Sequence, residues 1–358
     1  MARGLGSVAV MEGLRLPGFV NAHSHAFQRA LRGRAAGADF WAWRDGMLAE
    51  AERQTPELVR SLYEATYREM LAAGYTAVGE FHYLGAAEGR AAAEAADAAG
   101  IGFVLLHVAY ARGGIERFRQ NSVEAYLDEI EALRSEGIAV GLAPHSVRAC
   151  PADWLEEIGR YAAAEGLPLH VHADEQIREI EECRAEHGCR PIQLLARTGC
   201  LTERTTVVHA THADDAELGL LASHDTAVCA CLTTEADLGD GFLPAVRLRD
   251  RGIRICIGSD SNVRIDPFEE LRELEGIARR LGGSRGVFSP DELLAIGSSV
   301  GARSLGLTEW ADVEIDLGHR SLAGVALEHV PAALVAGCGS EVVLGADLSL
   351  NPTQSPTP

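Results

Sequence analysis

The stretch Pro17–Leu31, PGFVNAHSHAFQRAL, decides how the rest of the chain is read. A short apolar run, Phe19–Ala22, stops abruptly at His23 and His25. Side chains two residues apart on an extended segment share a face, so these two imidazoles can converge on one point. An imidazole pair contributes little to a packed strand end unless it binds something. Strands that turn polar only at their C-terminal ends are the pattern of a closed parallel barrel, where reactive groups sit just past the strands.

The same pattern recurs outward from this segment. Further β-rich runs lie at Thr76–Phe81, Gly102–Val108, Ala139–Pro144, Leu167–His172, Thr206–His209, Thr226–Cys231 and Ile253–Ile257, and the first spans Leu16–Ala22. Amphipathic stretches such as Glu57–Ala73, Val123–Glu136 and Ala152–Glu165 separate them. Eight strands, each followed by helical sequence, predict an α/β fold: a (β/α)8 TIM-like barrel over residues 17–307. Several strands are almost wholly apolar, as expected when both faces are buried. Residues 1–16 read as the remnant of a β-sandwich. Residues 308–350 carry the β-like pieces DVEID, GVALEHV and EVVLGAD and read as its other part, a small incomplete satellite. Residues 351–358, NPTQSPTP, read as a disordered tail.

Composition narrows the function. The 358 residues are 47% hydrophobic, enough for a large core, and the formal charge is −20. Such a field repels phosphate backbones and anionic lipid, so neither nucleic acid nor a membrane is an expected partner. No apolar run reaches the length of a membrane span. An anionic small substrate needs arginines placed locally. The chain contains no lysine, so all 32 basic residues are arginine. Schiff-base chemistry, a P-loop lysine and a carboxylated lysine bridging two metals are thereby excluded. The eight cysteines are scattered without a CxxC pair, and no secretory-type leader precedes them; reduced thiols and a cytoplasmic location are expected.

Titratable residues gather at the ends of six strands: His23 and His25; Glu80, His82 and Tyr83; His145 and Arg148; His170, His172 and Glu175; His209 and His212; Asp260. His172 and Asp260 can complete a nitrogen and oxygen shell with His23 and His25. Imidazole with carboxylate and no thiolate suits Zn2+, with Fe2+, Mn2+ or Ni2+ as alternatives, and one ion per chain. An HxH pair alone is a weak signal. His82 and His107 read as packed and hydrogen-bonded; His187, His224, His319 and His329 as surface or loop residues; His212 as bonding its own loop. Glu235 reads as a cap or turn residue, Arg44 as an interface arginine, and Cys229 and Cys231 as barrel packing.

The segments PGFVNAHSHAFQRAL, FWAWRDGM, EFHYL, APHSVRA, HVHADEQ, VHATHAD, TTEADLGDG and GSDSNV resemble the amidohydrolase superfamily, in its deaminase branch. The resemblance runs from about Pro17 to Leu307. It implies one metal held by His23, His25, His172 and Asp260. It implies Glu175 as proton shuttle and His209 as stabiliser of the hydrolytic water and the developing charge. Asp260 would also accept the water proton. Gln28, Arg44, Tyr83, His145 and Arg148 would contact substrate, and His170 would lie behind the ligands. The implied reaction is hydrolysis of N-formimino-L-glutamate to N-formyl-L-glutamate and ammonia, a step of histidine degradation, by a homodimer. Two arginines match two substrate carboxylates. Other readings are a deaminase of the same branch acting on guanine, a pterin or S-adenosylhomocysteine, and a truncated, non-catalytic barrel. The chain departs from the resemblance in having little sandwich sequence before Pro17. It also carries Asn262 where histidine is expected, a position that bears on the substrate's far end.

Overall fold

The computed structural model describes residues 13–34 and 40–348. Residues 1–12, most of the expected sandwich remnant, and the expected disordered tail lie outside them. Among the described residues, eleven strands form two sheets. The larger has eight parallel strands in sequence order: β2 (Phe19–Ser24), β3 (Tyr75–His82), β4 (Gly102–Ala109), β5 (Val140–Pro144), β6 (Leu169–Ala173), β7 (Thr205–His209), β8 (Ala227–Ala230) and β9 (Ile255–Ile257). The smaller is antiparallel and joins β1 (Leu14–Pro17), β10 (Asp312–Ile315) and β11 (Val343–Asp347), with β10 in the centre. The expected barrel and satellite are therefore present.

Local chemistry explains the alternation. The helix Pro56–Ala73 starts on Thr55, whose hydroxyl accepts from Leu58 N, carries proline in its first turn and ends on Gly74 at φ 100°. The helix Pro267–Gly282 is capped the same way by Asp266. Strand β2 is buried at every position, and Phe19 packs edge-on to Phe268 at 5.0 Å. This two-sided burial is why the barrel strands read as apolar runs rather than alternating ones.

Two expectations need correction. The run Leu16–Ala22 is not one strand: Leu16 and Pro17 belong to the satellite, and the barrel begins at Phe19. The break falls at Gly18, where a Cβ would lie 2.2 Å from Thr76 Oγ1 and 2.4 Å from the Ala311 carbonyl, so the chain can pass only without a side chain. The piece GVALEHV is not a strand either. It forms a 3-10 turn, Leu327–His329, leading into the helix Val330–Gly337, whose first turn contains Pro331.

The barrel closes through the residues that began the sequence argument. Beyond β9, Asp260 N–H donates to the His23 carbonyl at 3.0 Å, and His25 N–H donates to the Asp260 carbonyl at 2.8 Å. This close approach requires Gly258, where a Cβ would sit 2.7 Å from the His23 carbonyl oxygen. All eight cysteines are buried and none is paired with another.

Candidate active site

Because β2 and β9 are stitched together at their C-terminal ends, His23, His25 and Asp260 share one neighbourhood before any side-chain contact is considered. His172, at the end of β6, joins them. One ligand atom from each of these four residues lies within 4.8 Å of the others. His23 Nε2 is 3.2 Å from His25 Nε2 and 3.1 Å from His172 Nε2, and Asp260 Oδ1 is 3.3 Å from His25 Nε2. His25 Nδ1 bonds the Phe81 carbonyl at 2.8 Å, and His172 Nδ1 bonds the His145 carbonyl at 3.1 Å. A carbonyl only accepts, so both Nδ1 atoms carry the hydrogen and both Nε2 atoms offer a lone pair. His23 Nδ1 has no partner among the described residues, so nothing there fixes its tautomer, and its Nε2 meets the other two either as a donor or as a third lone pair sharing a cation. Burial pushes the His23 imidazole down to about 3 and lowers His25 and His172 as well, leaving neutral imidazoles suited to ligation. Burial opposes ionisation of Asp260, but its hydrogen bond with His23 and the surrounding imidazoles hold it below the usual carboxylate range. The donor set therefore fits one divalent cation.

Several strand ends here use left-handed backbone at residues other than glycine: Asp174 (φ 55°), His209 (φ 71°), Asp260 (φ 45°) and Asn262 (φ 57°). Such conformations cost energy and cluster where side chains must be aimed. His209 stands beside these four residues, its Nε2 3.7 Å from Asp260 Oδ2 and 4.0 Å from Glu175 Oε1. Burial disfavours its charge, but Glu235, 3.2 Å from Nδ1, and the charges of Glu175 and Asp260 raise it to about 10.

The residues expected to contact substrate line one side of the mouth. Gln28 Nε2 donates to Tyr83 Oη at 2.8 Å. The Tyr83 ring lies 5.2 Å from His25 and 6.0 Å from His145, and His145 is 4.5 Å from Tyr110. Arg148 reaches Glu175 at 3.3 Å and Glu179 at 3.7 Å. Arg44, on the helix Phe40–Arg53, is half-buried. Its charge and that of Arg148 both act on His145 and Tyr110, lowering the first, where burial is the larger cause, and easing ionisation of the second against burial. Both charges are thus felt at the same two side chains.

His170 turns away and bonds the Ser304 carbonyl at 3.0 Å. His82 lies 3.3 Å from Tyr63 Oη, and His107 lies 2.8 Å from Glu129. Asn262 is fully buried behind Asp260. Its Oδ1 accepts from Ser259 Oγ at 2.7 Å and its Nδ2 donates to the Asp260 carbonyl at 3.1 Å, so its side chain is spent on shaping that turn.

Three residues escaped the sequence reading or were misread by it. Glu235 does serve the helix start as expected, accepting from Cys231 N at 3.0 Å, but it is also 2% exposed and meets His209. Glu179, on the helix Ile177–His187, accepts from Glu175 N at 3.2 Å and is raised by burial to about 7. Neither its residue type nor its spacing marked it, since Glu175 lies before the helix. Cys231 is packed as expected in a small cluster with Ala22, Val208, Cys229 and Cys256, yet its sulfur also lies within 4.8 Å of ligand atoms on His209 and Asp260.

A (β/α)8 barrel with a His3Asp cluster at the C-terminal mouth defines a class of hydrolase, and direct comparison agrees. The amidohydrolase family profile matches residues 14–311, and the chain belongs to that family. It is 39% identical over 329 residues to the formimidoylglutamate deiminase of Pseudomonas aeruginosa, covering 82% of this chain and 72% of that one. It is 30% identical over 343 residues to the 5-methylthioadenosine/S-adenosylhomocysteine deaminase of Haloarcula marismortui, covering 90% and 78%. Among solved structures, an amidohydrolase from Brucella melitensis superposes with a TM-score of 0.84 at 32% identity, covering 93% of this chain and 85% of the other. A zinc-bound adenosine deaminase from Xanthomonas campestris superposes with a TM-score of 0.85 at 25% identity, covering 93% and 78%. No helix among the described residues is long and apolar enough to cross a membrane.

Proposed function

We propose that the chain is a zinc-dependent deiminase that hydrolyses N-formimino-L-glutamate to N-formyl-L-glutamate and ammonia, as a cytoplasmic homodimer serving histidine degradation. His23, His25, His172 and Asp260 would hold the ion. When bound, Zn2+ supplies an activated water and Lewis-acid polarisation at neutral pH. Asp260, between the imidazoles and His209, takes the proton that water loses as it adds to the formimino carbon. His209 offers Nε2 to the charge that develops there. Glu175, held by Arg148 and by its own backbone bond to Glu179, carries a proton to the imino nitrogen as water adds; the proton on Asp260 then passes to the same nitrogen, which leaves as ammonia when the C–N bond breaks, and the hydroxyl proton released as the C=O forms returns to Glu175.

The observation that carries the choice of substrate is the contact of Arg148 with Glu175 at 3.3 Å. It puts a guanidinium directly beside the proton shuttle. In an N-formimino amino acid the α-carboxylate is only a few bonds from the reacting carbon, so a carboxylate anchor belongs there. Arg44 would take the second carboxylate, while Gln28, Tyr83 and His145 close the wall between them. The 39% identity to a formimidoylglutamate deiminase supports the same choice.

The aromatic wall of Tyr83, Tyr110 and Phe118, with ring separations of 4.8–6.1 Å, favours a second reading, a deaminase of adenosyl thioethers or other purines. One assay separates the two. Ammonia release is measured with N-formimino-L-glutamate, S-adenosylhomocysteine and guanine, each with and without a chelator. Chelator-sensitive release from the first alone is expected. Release from either of the others but not the first overturns the proposal.

A further inference from the structure

An imidazole can present either nitrogen to a reaction, and the bond made by the other nitrogen decides which. His209 meets Asp260 and Glu175 with Nε2. Its Nδ1 faces the other way, 3.2 Å from Glu235 Oε1. The same oxygen accepts the N–H of Cys231 at 3.0 Å, and Glu235 N–H donates back to the Cys231 carbonyl at 2.9 Å. Glu235 Oε1 is therefore fixed by the first turn of the helix Leu232–Leu238 on which it sits. The side chain is 2% exposed, and Oε2 has no hydrogen-bond partner among the described residues. A helix cap needs no such arrangement: a short side chain at the surface satisfies the same N–H without burying a half-used carboxylate. The buried acid is explained by what it does to the imidazole.

We propose that Glu235 is a positioning residue for His209, holding a hydrogen on Nδ1 and so turning Nε2 toward Asp260, Glu175 and the reacting atoms. This rests on the reading of His209 given under the proposed function, and it adds a residue that neither the sequence nor that reading assigned. A glutamine at 235 can place its amide oxygen where Oε1 stands and accept both bonds. Alanine cannot, and nothing then holds the ring by its Nδ1–H.

The test uses the zinc-loaded full-length protein with 15N-labelled histidine, the His209 signals being those absent from His209→Asn. In the native protein and in Glu235→Gln, the Nδ1 hydrogen of His209 is expected to be hydrogen-bonded and protected from exchange with solvent; in Glu235→Ala that protection is lost. Kinetics should follow: kcat falls ~10–100-fold in Glu235→Ala, the range for residues that orient a metal-site histidine, with KM within ~3-fold and zinc content unchanged. Glu235→Gln should recover to within ~5-fold of native. If Glu235→Ala fails to fold, Glu235→Met refills the volume without an acceptor and takes its place. An Nδ1 hydrogen that stays protected from exchange without an acceptor at 235 overturns the proposal, as does a kcat within ~3-fold of native. Should the native protein turn over no formimino substrate, the function assigned above fails, while the nitrogen spectra still decide the role of Glu235.

Discussion

Replacing Arg148 with alanine tests the substrate assignment at its most specific point. A guanidinium hydrogen-bonded to a carboxylate contributes ~1.5–3 kcal/mol, and every 1.4 kcal/mol is tenfold in affinity. Losing the carboxylate anchor should therefore raise KM for N-formimino-L-glutamate by ~10–150-fold. The structure adds a second, smaller effect. The Glu179 side chain is fully buried, and burial raises it to about 7 while Arg148, its near cation, pulls it down. Without Arg148 its pKa climbs further and Glu179 stays protonated at neutral pH. Its bond to Glu175 N then loses charge assistance and the shuttle loosens, so kcat should fall as well, by a few-fold. The assay is ammonia release with the natural substrate and with its two monoamides, one for each carboxylate. For one monoamide the native enzyme already lacks the Arg148 contact, so native protein and variant should show nearly the same KM. A KM penalty that is equal for all three substrates would refute the reasoning, because Arg148 would then act without touching either carboxylate.

Glu175→Gln should lower kcat by ~100–10,000-fold, the span of a lost proton transfer, with zinc content intact; Asp260→Asn should abolish turnover and also weaken zinc retention, and normal turnover in either contradicts its role. Arg190 touches Glu217 at 2.5 Å, Asp214 at 3.2 Å and Asp174 at 3.8 Å. Arg190→Met leaves the fully buried Glu217 and Asp174 carboxyls without that cation, so ~3–5 kcal/mol of stability should be lost, read as a lower denaturant midpoint at an unchanged slope. Glu80 is buried and raised to about 8, chiefly by burial. Its folded value lies above its unfolded one, so the stability it contributes is complete below about 4.5 and is lost as pH climbs toward 8. Glu80→Gln does not titrate; relative to native protein it should gain stability between pH 5 and 8 by up to ~1.4 kcal/mol per unit, and a pH-independent difference in chemical denaturation would exclude this.

What the sequence disclosed follows from what is local. The HxH pair, the HADEQ segment and the Asp after β9 each sit at the end of an apolar run, and the period of two on a strand says which residues face together. Barrel topology then converts strand ends into neighbours, so the ligand cluster was legible without coordinates. Glu235 was not, because its importance comes from a one-turn return of the chain that carries a carboxylate back under β7. Nothing in TTEADLGDG distinguishes that from an exposed cap. Glu179 was hidden for a related reason, since half of its work is a bond to a backbone N–H, which leaves no mark in residue type. GVALEHV misled through its short apolar alternation, which Pro331 overrides by favouring a helical first turn. The split at Gly18 depended on contacts from Thr76 and Ala311, far along the chain.

The eight unpaired thiols, all sealed from solvent, make the protein its own chronometer. Burial suppresses thiolate at Cys150, Cys183, Cys200, Cys229, Cys231 and Cys338, and the bond with Cys229 together with burial does so at Cys256, so an alkylating reagent reacts with them only during a transient breach. The order in which they are modified ranks the opening free energies of successive segments, with Cys338 beyond the barrel at one end of the scale and the trio around Cys229 beneath the catalytic mouth at the other.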